Sequence, residues 1–447
     1  MVEFTAYHAV THPLVKVIDD WNSLLDHGLE KAASYVIRKN GATYEAINGS
    51  TGKISFSGAN AATVINSCIT ALSASGGTIF IKNGQYDITA SINLTGAKSI
   101  TLTGETRALE IAGWGTRLNA ANGLNSPVIT SNNGAEIDAS LLIKDLIISG
   151  NSVGQGVNAD GIYFKNTFYS TIENVYVYDA KFDGFSILQS EVILIKNCYA
   201  FNNKHHGFYI PTNEARLTNC QTANNALAGI FFSGFGVHLN NVLAWQNAQY
   251  GIIGNILDDF SIVDCDSWNN AFDGINIDTS TGGRIIGCES KNNAAGHAGI
   301  LLVDAIGVLV LGNQVFDDQG APTQDYGIYE TGTSNYNVIL GNRIDGCVTS
   351  NIRVIGANTK VKYNQGFVTE NRVPATITAA ATSIVVPHLC DYTPAVGDIH
   401  PTLTNLPTND IGDVYVDTIG AANFTLHCRN VPGGATAIFD VEIRRTP

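Results

Sequence analysis

The chain has 447 residues, of which 45% are hydrophobic and only 14% charged, against about a quarter charged in an average soluble domain. So few Lys and Glu, beside 45 glycines, exclude an architecture of long exposed helices and favour turn-rich β-structure. The formal net charge of −14 with no basic run excludes nucleic acid as a partner, because phosphate binding needs clustered Lys and Arg; an acidic glycan on a local basic patch stays open.

At the start, Met1-Val2-Glu3-Phe4 lacks the basic and apolar regions of a secretory signal. No stretch nears the roughly 18 apolar residues of a membrane span, so no membrane insertion is expected. Release from the cell would take another route, such as virion assembly and lysis. Leu14, Val17, Trp21 and Leu24 follow helical spacing over too short a run for a coiled coil. Residues 1–57 are read as an attachment and capping segment. Asn60 is placed to cap a short helix with Val64, Ile65, Cys68 and Leu72 on one face, ended by Gly76-Gly77. Such a helix would cover strand edges at the open end of the element that follows.

That element, residues 58–373, carries an internal repeat. Gly161, Gly184, Gly207, Gly229, Gly251, Gly274, Gly299 and Gly327 recur at spacings of 22 to 28 residues, and such a period means a repeat architecture. The segments between are rich in Ile, Val, Phe and Tyr with period-2 alternation, so they are strands. Asn174, Asn197, Asn219, Asn241 and Asp264 form a second column and the pairs Asn202-Asn203, Asn224-Asn225, Asn269-Asn270 and Asn292-Asn293 a third, both at turns, where Asn tolerates the left-handed conformation. Three strands and three turns per repeat define a parallel β-helix, whose core comes from stacking coil on coil. Cys198, Cys220, Cys265 and Cys288 share one repeat position with Val175 and Val242. They are expected to be a buried column rather than metal ligands.

Seven of the 11 prolines lie beyond residue 373, which sets a domain boundary at Val373-Pro374. Residues 374–447 alternate apolar and polar in short strands and read as a small β-sandwich. Its Cys390 and Cys428 are a possible pair.

The segment SYVIRKNGATYEAINGSTGKISFSGANAATVINSCITALSASGGTIFIKNGQYDI resembles the opening of the pectate-lyase-like right-handed parallel β-helix superfamily, and is most similar to its phage-tailspike branch. The coils from Asp160 resemble the generic repeat of that superfamily, and the tail looks like the sandwich that ends many trimeric tail proteins. The resemblance implies a polysaccharide partner, a homotrimer, and an extracellular or virion location. It carries no activity residue by residue: the calcium-binding Asp set and catalytic Arg of pectate lyases are missing, and so are the paired Asp and Gly-His-Gly of polygalacturonases.

Equivalent positions on successive coils lie about 4.8 Å apart, so the repeat predicts surface neighbours. The residue before each glycine makes Asp160, Asp183 and His206 a run, with Lys204 nearby. Two carboxyl groups one coil apart suit a retaining glycosidase, and two coils apart an inverting one. His206 or Lys204 as base would instead suit elimination beside a uronate carboxylate. The competing reading is Asp-Gly turn chemistry copied by duplication. Aromatics flank this turn: Tyr163, Tyr209 and Phe231 after it, and Tyr178, Phe201, Trp245 and Trp268 before it. These are the expected sugar platforms, or a subunit interface. No cofactor and no metal are expected, with a divalent cation open at two acidic sets: Asp258, Asp259, Asp264 and Asp266, or Asp317, Asp318, Asp325 and Glu330. The leading expectation is a tailspike-like protein that binds and cleaves a cell-surface polysaccharide, as hydrolase or lyase. The alternatives are a non-catalytic adhesin or fibre shaft, and a secreted lyase of a free-living microbe.

Overall fold

The computed structural model describes residues 33–107 and 115–444, in two compact units that meet in sequence at Ile253/Gly254. The expected helical pattern around Leu14 to Leu24 lies outside the described residues.

The first unit opens on an antiparallel meander of Tyr35–Asn40, Thr43–Asn48 and Ile54–Gly58. A helix follows at Ala61–Leu72, where the Asn60 side chain accepts the Thr63 N–H. One face buries Val64, Ile65, Cys68, Ile69 and Leu72 against the meander and the first strands of the coils. From Gly77 the strands pair in parallel with the next coil. Phe185 lies beside Phe208, and Phe208 beside Ile230; Ile195 beside Leu217, and Leu217 beside Leu239; Ala200 beside Thr222, and Thr222 beside Ala244. These three columns are the three faces of the β-helix. Inward residues are fully buried, and the Phe185 and Phe208 rings stack at 4.7 Å.

The turns explain the asparagines. Asn174, Asn197, Asn219 and Asn241 have φ of 51° to 54°, the left-handed conformation that Asn accepts at low cost. Asn202 and Asn224 do the same at the next turn, and the residue after each turns inward. Asn203, Asn225 and Asn247 are buried: Asn203 Nδ2 donates to Asn225 Oδ1 at 2.9 Å and Asn225 Nδ2 to Asn247 Oδ1 at 2.9 Å. Cys198 and Cys220 are buried free thiols, as their column predicts.

The second unit holds further coils. Ile275–Thr281, Ala298–Ile306, Tyr326–Thr331 and Ser350–Arg353 stack in parallel. Asn313, Asn342 and Asn364 form a second buried amide ladder. After the coils come two three-stranded antiparallel sheets around a core that includes Phe424, Leu426, Phe439 and Val441. The first of their strands is Glu370–Ile377, so the boundary expected at 373/374 falls inside it. Cys390 and Cys428 are both free thiols; their sulfurs contact the His388 and Asn430 carbonyl oxygens instead.

Candidate functional site

The turn that carries Asp160, Asp183 and His206 precedes three paired strands, with Ile162 beside Phe185 and Phe185 beside Phe208. The glycine after each is required by closeness: a Cβ on Gly184 would sit 2.7 Å from the Gly207 carbonyl oxygen and 2.8 Å from Asn203 Nδ2. The backbone thus hugs the next coil, and the side chain before it is drawn inward. Asp183 is fully buried, while Asp160 and His206 keep 8% exposure each.

Each of these side chains takes the amide of its counterpart one coil on. Asp183 N–H donates to Asp160 Oδ1 at 2.9 Å, His206 N–H to Asp183 Oδ1 at 2.9 Å, and Ala228 N–H to His206 Nδ1 at 3.2 Å. A fourth group joins them. His205 Nδ1 lies 2.7 Å from Asp183 Oδ1, and its ring stacks on Phe182 at 3.9 Å. With Nδ1–H donated to the carboxylate, the free lone pair of a neutral His205 is on Nε2, and about a quarter of the side chain is exposed. That is the arrangement of a base held in one tautomer by a buried acid.

The environment separates the roles. Burial first, and then the neighbouring Asp183, push Asp160 up to about 8, so it carries a proton at neutral pH. Burial also raises Asp183, opposed by its bond to His205. Burial, followed by the nearby His205, drives His206 down to about 3. His206 is therefore neutral, and since Nδ1 accepts the Ala228 amide, its Nε2 bears the hydrogen. It is a fixed donor and offers no lone pair. Tyr163 and Tyr209 are raised by burial, and then by Asp160 and Asp183 respectively, which places a phenol beside each carboxyl group. Asp183 Oδ2 is buried without a hydrogen-bond partner.

The structure thus gathers Asp160, Asp183, His206, Tyr163 and Tyr209. Lys204 is not among them: its Nζ lies 3.4 Å from Asp179 Oδ1 and bonds the Asn202 carbonyl, because its long stem follows the neighbouring turn. His205 takes the place that the sequence reading assigned to His206 and Lys204. The reading passed over it by comparing only like positions on successive coils, whereas Asp183 reaches diagonally to the residue two before the next glycine. A signal existed: Phe182-Asp183-Gly184 followed by His205 recurs as Phe272-Asp273-Gly274 followed by His297.

The aromatic columns form as the alternation predicts. Tyr163, Ser186, Tyr209 and Phe231 are successive neighbours, with Tyr209 stacked on His206 at 5.5 Å and on Phe231 at 5.0 Å. Before the turn, Tyr178, Phe201, Ala223 and Trp245 line up, and Phe201 meets Trp245 edge-on at 5.4 Å. Trp268 belongs to the second unit, beside Lys291.

Among the described residues, the one group of His, Cys, Asp or Glu that could converge on an ion is Asp183, His205 and His206, with ligand atoms within 4.8 Å of one another. Nδ1 of both rings is bonded, which leaves Asp183 Oδ2 and His205 Nε2 as the open atoms of the trio. Neither acidic set named above forms such a group. Asp317 accepts the Gln319, Thr323 and Gln324 amides of its own loop, and buried Glu330 is satisfied by Asn337, Thr359 and two backbone amides.

Three-stranded coils around a buried core, with a polar cluster on one turn, define the class. The family model described as "Right handed beta helix region" matches residues 92–243 and 160–344, and the chain belongs to that family. Among solved structures it resembles the A-module of Azotobacter vinelandii mannuronan C-5 epimerase AlgE6 (TM-score 0.57, 17% identity, 68% of this chain and 95% of that one). It also resembles the Dettilon tailspike protein (TM-score 0.50, 14% identity, 86% and 92%). A third is full-length tailspike protein 2 from Escherichia coli O157:H7 bacteriophage CAB120 (TM-score 0.51, 15% identity, 85% and 60%). At these identities the likeness is one of fold. No curated protein matches the sequence. Among the described residues no helix is long and apolar enough to cross a membrane.

Proposed function

We propose that this β-helix binds a polysaccharide and processes it by acid–base chemistry on the Asp160–Asp183–His205 turn. The observation that carries the reading is the 2.7 Å bond between buried Asp183 and partly exposed His205, beside an Asp160 that holds its proton to about pH 8. His205 Nε2 removes a proton, from water or from the sugar carbon beside a carboxylate, and Asp160 donates one to the leaving oxygen. General acid and base catalysis of this kind contributes roughly 10²–10⁴-fold each. Asp183 is a positioning residue: a fully buried carboxylate with Oδ1 engaged cannot attack a sugar, which disfavours the double-displacement route of retaining glycosidases. Tyr209 and Phe231 supply the face on which a sugar ring stacks.

Support for a polysaccharide as substrate comes from the neighbours, whose names include a mannuronan epimerase and two tailspike proteins. The two tailspike names support a virion location; the homotrimer implied by the resemblance in the sequence would be tested by light scattering, giving about three times the chain's 47.5 kDa.

The test is a panel of bacterial surface polysaccharides assayed for new reducing ends and for the ultraviolet absorbance of an unsaturated uronate. His205→Ala is expected to lose at least about 100-fold in rate, with Asp183→Asn close behind. If wild type gives neither signal, the protein is a binder; if Asp183→Asn stays fully active, this turn is not the site.

A further inference from the structure

The second unit repeats part of the device and then departs from it. Asp273 accepts the Ala298 amide at 2.7 Å, as Asp183 accepts that of His206, and His297 Nδ1 lies 3.5 Å from the same oxygen with its ring stacked on Phe272. Here the second carboxylate oxygen is filled by Asn276 Nδ2 at 3.1 Å. The hydrogen bond to Asp273 raises His297, against its burial, and Asp325 adds to it. What this unit adds lies one and two coils on. The rings of Tyr326 and Tyr329 stack at 4.4 Å. Over them lies the Arg353 guanidinium, 5.8 Å and 5.2 Å from the two ring centres, with Nη1 donating to the Tyr326 hydroxyl at 3.2 Å. Tyr329 and Arg353 are register partners on adjacent strands. Arg353 is exposed and has no acidic partner among the described residues.

We propose that Tyr326, Tyr329 and Arg353 form a second, non-catalytic saccharide site that takes a carboxylate-bearing sugar residue. A guanidinium within 6 Å of two ring centres and anchored through one hydroxyl keeps its remaining donors free for the fork that a carboxylate fills with two parallel hydrogen bonds. The exposed part of the tyrosine pair supplies a face for the sugar ring. In a chain of net charge −14, a cation left on an aromatic bed is a local point where an acidic glycan can settle against the overall repulsion. The inference rests on the reading of the protein as a polysaccharide binder, and extends it to a charged residue of the glycan.

The test uses the full chain carrying Asp183→Asn, so that a ligand is not consumed, titrated calorimetrically with an oligomannuronate hexasaccharide and with a neutral glucose oligosaccharide of equal length. The uronate should bind more tightly, and added Arg353→Ala should weaken it about tenfold while leaving the neutral sugar and the melting temperature unchanged. Arg353→Lys, which keeps the charge but not the fork, should recover only part of the loss. Equal binding of both sugars, or a uronate affinity indifferent to Arg353→Ala, overturns the proposal and leaves Arg353 as a charged guard on the edge strand of its sheet. Absence of any binding overturns it as well. Because the readout is binding by a catalysis-silenced chain, failure of the catalytic reading leaves this result interpretable.

Discussion

Asp160 and His206 keep in the fold, over a span of pH, protonation states that solvent would not give them, and pH reaches stability through both. Asp160 titrates near 3.9 in an unfolded chain and at about 8 in the fold. Between those values the folded state holds a proton that the unfolded state has lost, so stability falls as pH rises from about 4 to about 8 and is flat on either side. Asp160→Asn removes this slope. Its melting temperature should exceed that of wild type increasingly from pH 5 to pH 8, and two parallel profiles would show that Asp160 ionises normally. His206 works in the other direction. The unfolded chain protonates it near 6.5 and the fold only near 3, so its share of stability is present above about 6.5 and is lost as pH falls through about 3. Activity should follow the same acid: the alkaline limb of the rate profile near pH 8 belongs to Asp160, and it should vanish with the bulk of activity in Asp160→Asn. The repeat made Asp160, Asp183 and His206 legible as neighbours, but not His205, since a diagonal reach across a turn depends on side-chain direction rather than on register.

At the scale of elements, the turns stabilise the coils in two different ways, and the sequence showed only one of them. The Asn-Asn pairs read as turn residues, and the first of each pair does adopt the left-handed conformation: φ is 56° at Asn202 and 55° at Asn224. The second of each pair faces inward and links coil to coil, a role fixed by stacking that no local pattern encodes. Asn225 bonds in both directions: it accepts Asn203 Nδ2 and N–H, and donates to Asn247. Asn225→Ala would leave two buried donors on Asn203 without partners, while Asn247 Oδ1 keeps the backbone N–H of residue 225, and each orphaned group costs about 1–3 kcal/mol. The expected loss is about 3–5 kcal/mol in denaturant unfolding. Asn219→Ala, on an exposed turn with φ of 54°, should cost only about 1–2 kcal/mol of backbone strain. Equal losses from the two variants would mean that the buried ladder adds nothing beyond the turn.

At the scale of the molecule, composition located the C-terminal sheets but set their start a few residues late. The proline shift that marked the boundary comes from strands as well as loops: Pro374, Pro387 and Pro401 all lie in edge strands of the two small sheets, the places where a missing N–H costs no ladder bond. Those three prolines track sheet edges rather than a linker. The repeat itself was legible because a coil has one register, and that register makes a whole-coil change testable. Within the first unit each coil bonds to the coils before and after it, so stability is close to a sum over neighbours. Removing Gly184–His206 joins Asp183 to Gly207 and restores the Asp-Gly turn, with Phe208 following where Phe185 stood. Such a chain should fold cooperatively and melt roughly 5–10 °C lower, the shift given by about 2–3 kcal/mol in a domain of this size. Having lost His205 and His206, it should also be inactive. Removing only Gly184–Leu194 brings Ile195 to the turn and puts each following strand on the wrong face, so it should yield no cooperative transition. If circular dichroism showed both deletions folding equally well, the 22–23-residue register would not be what holds the coils together.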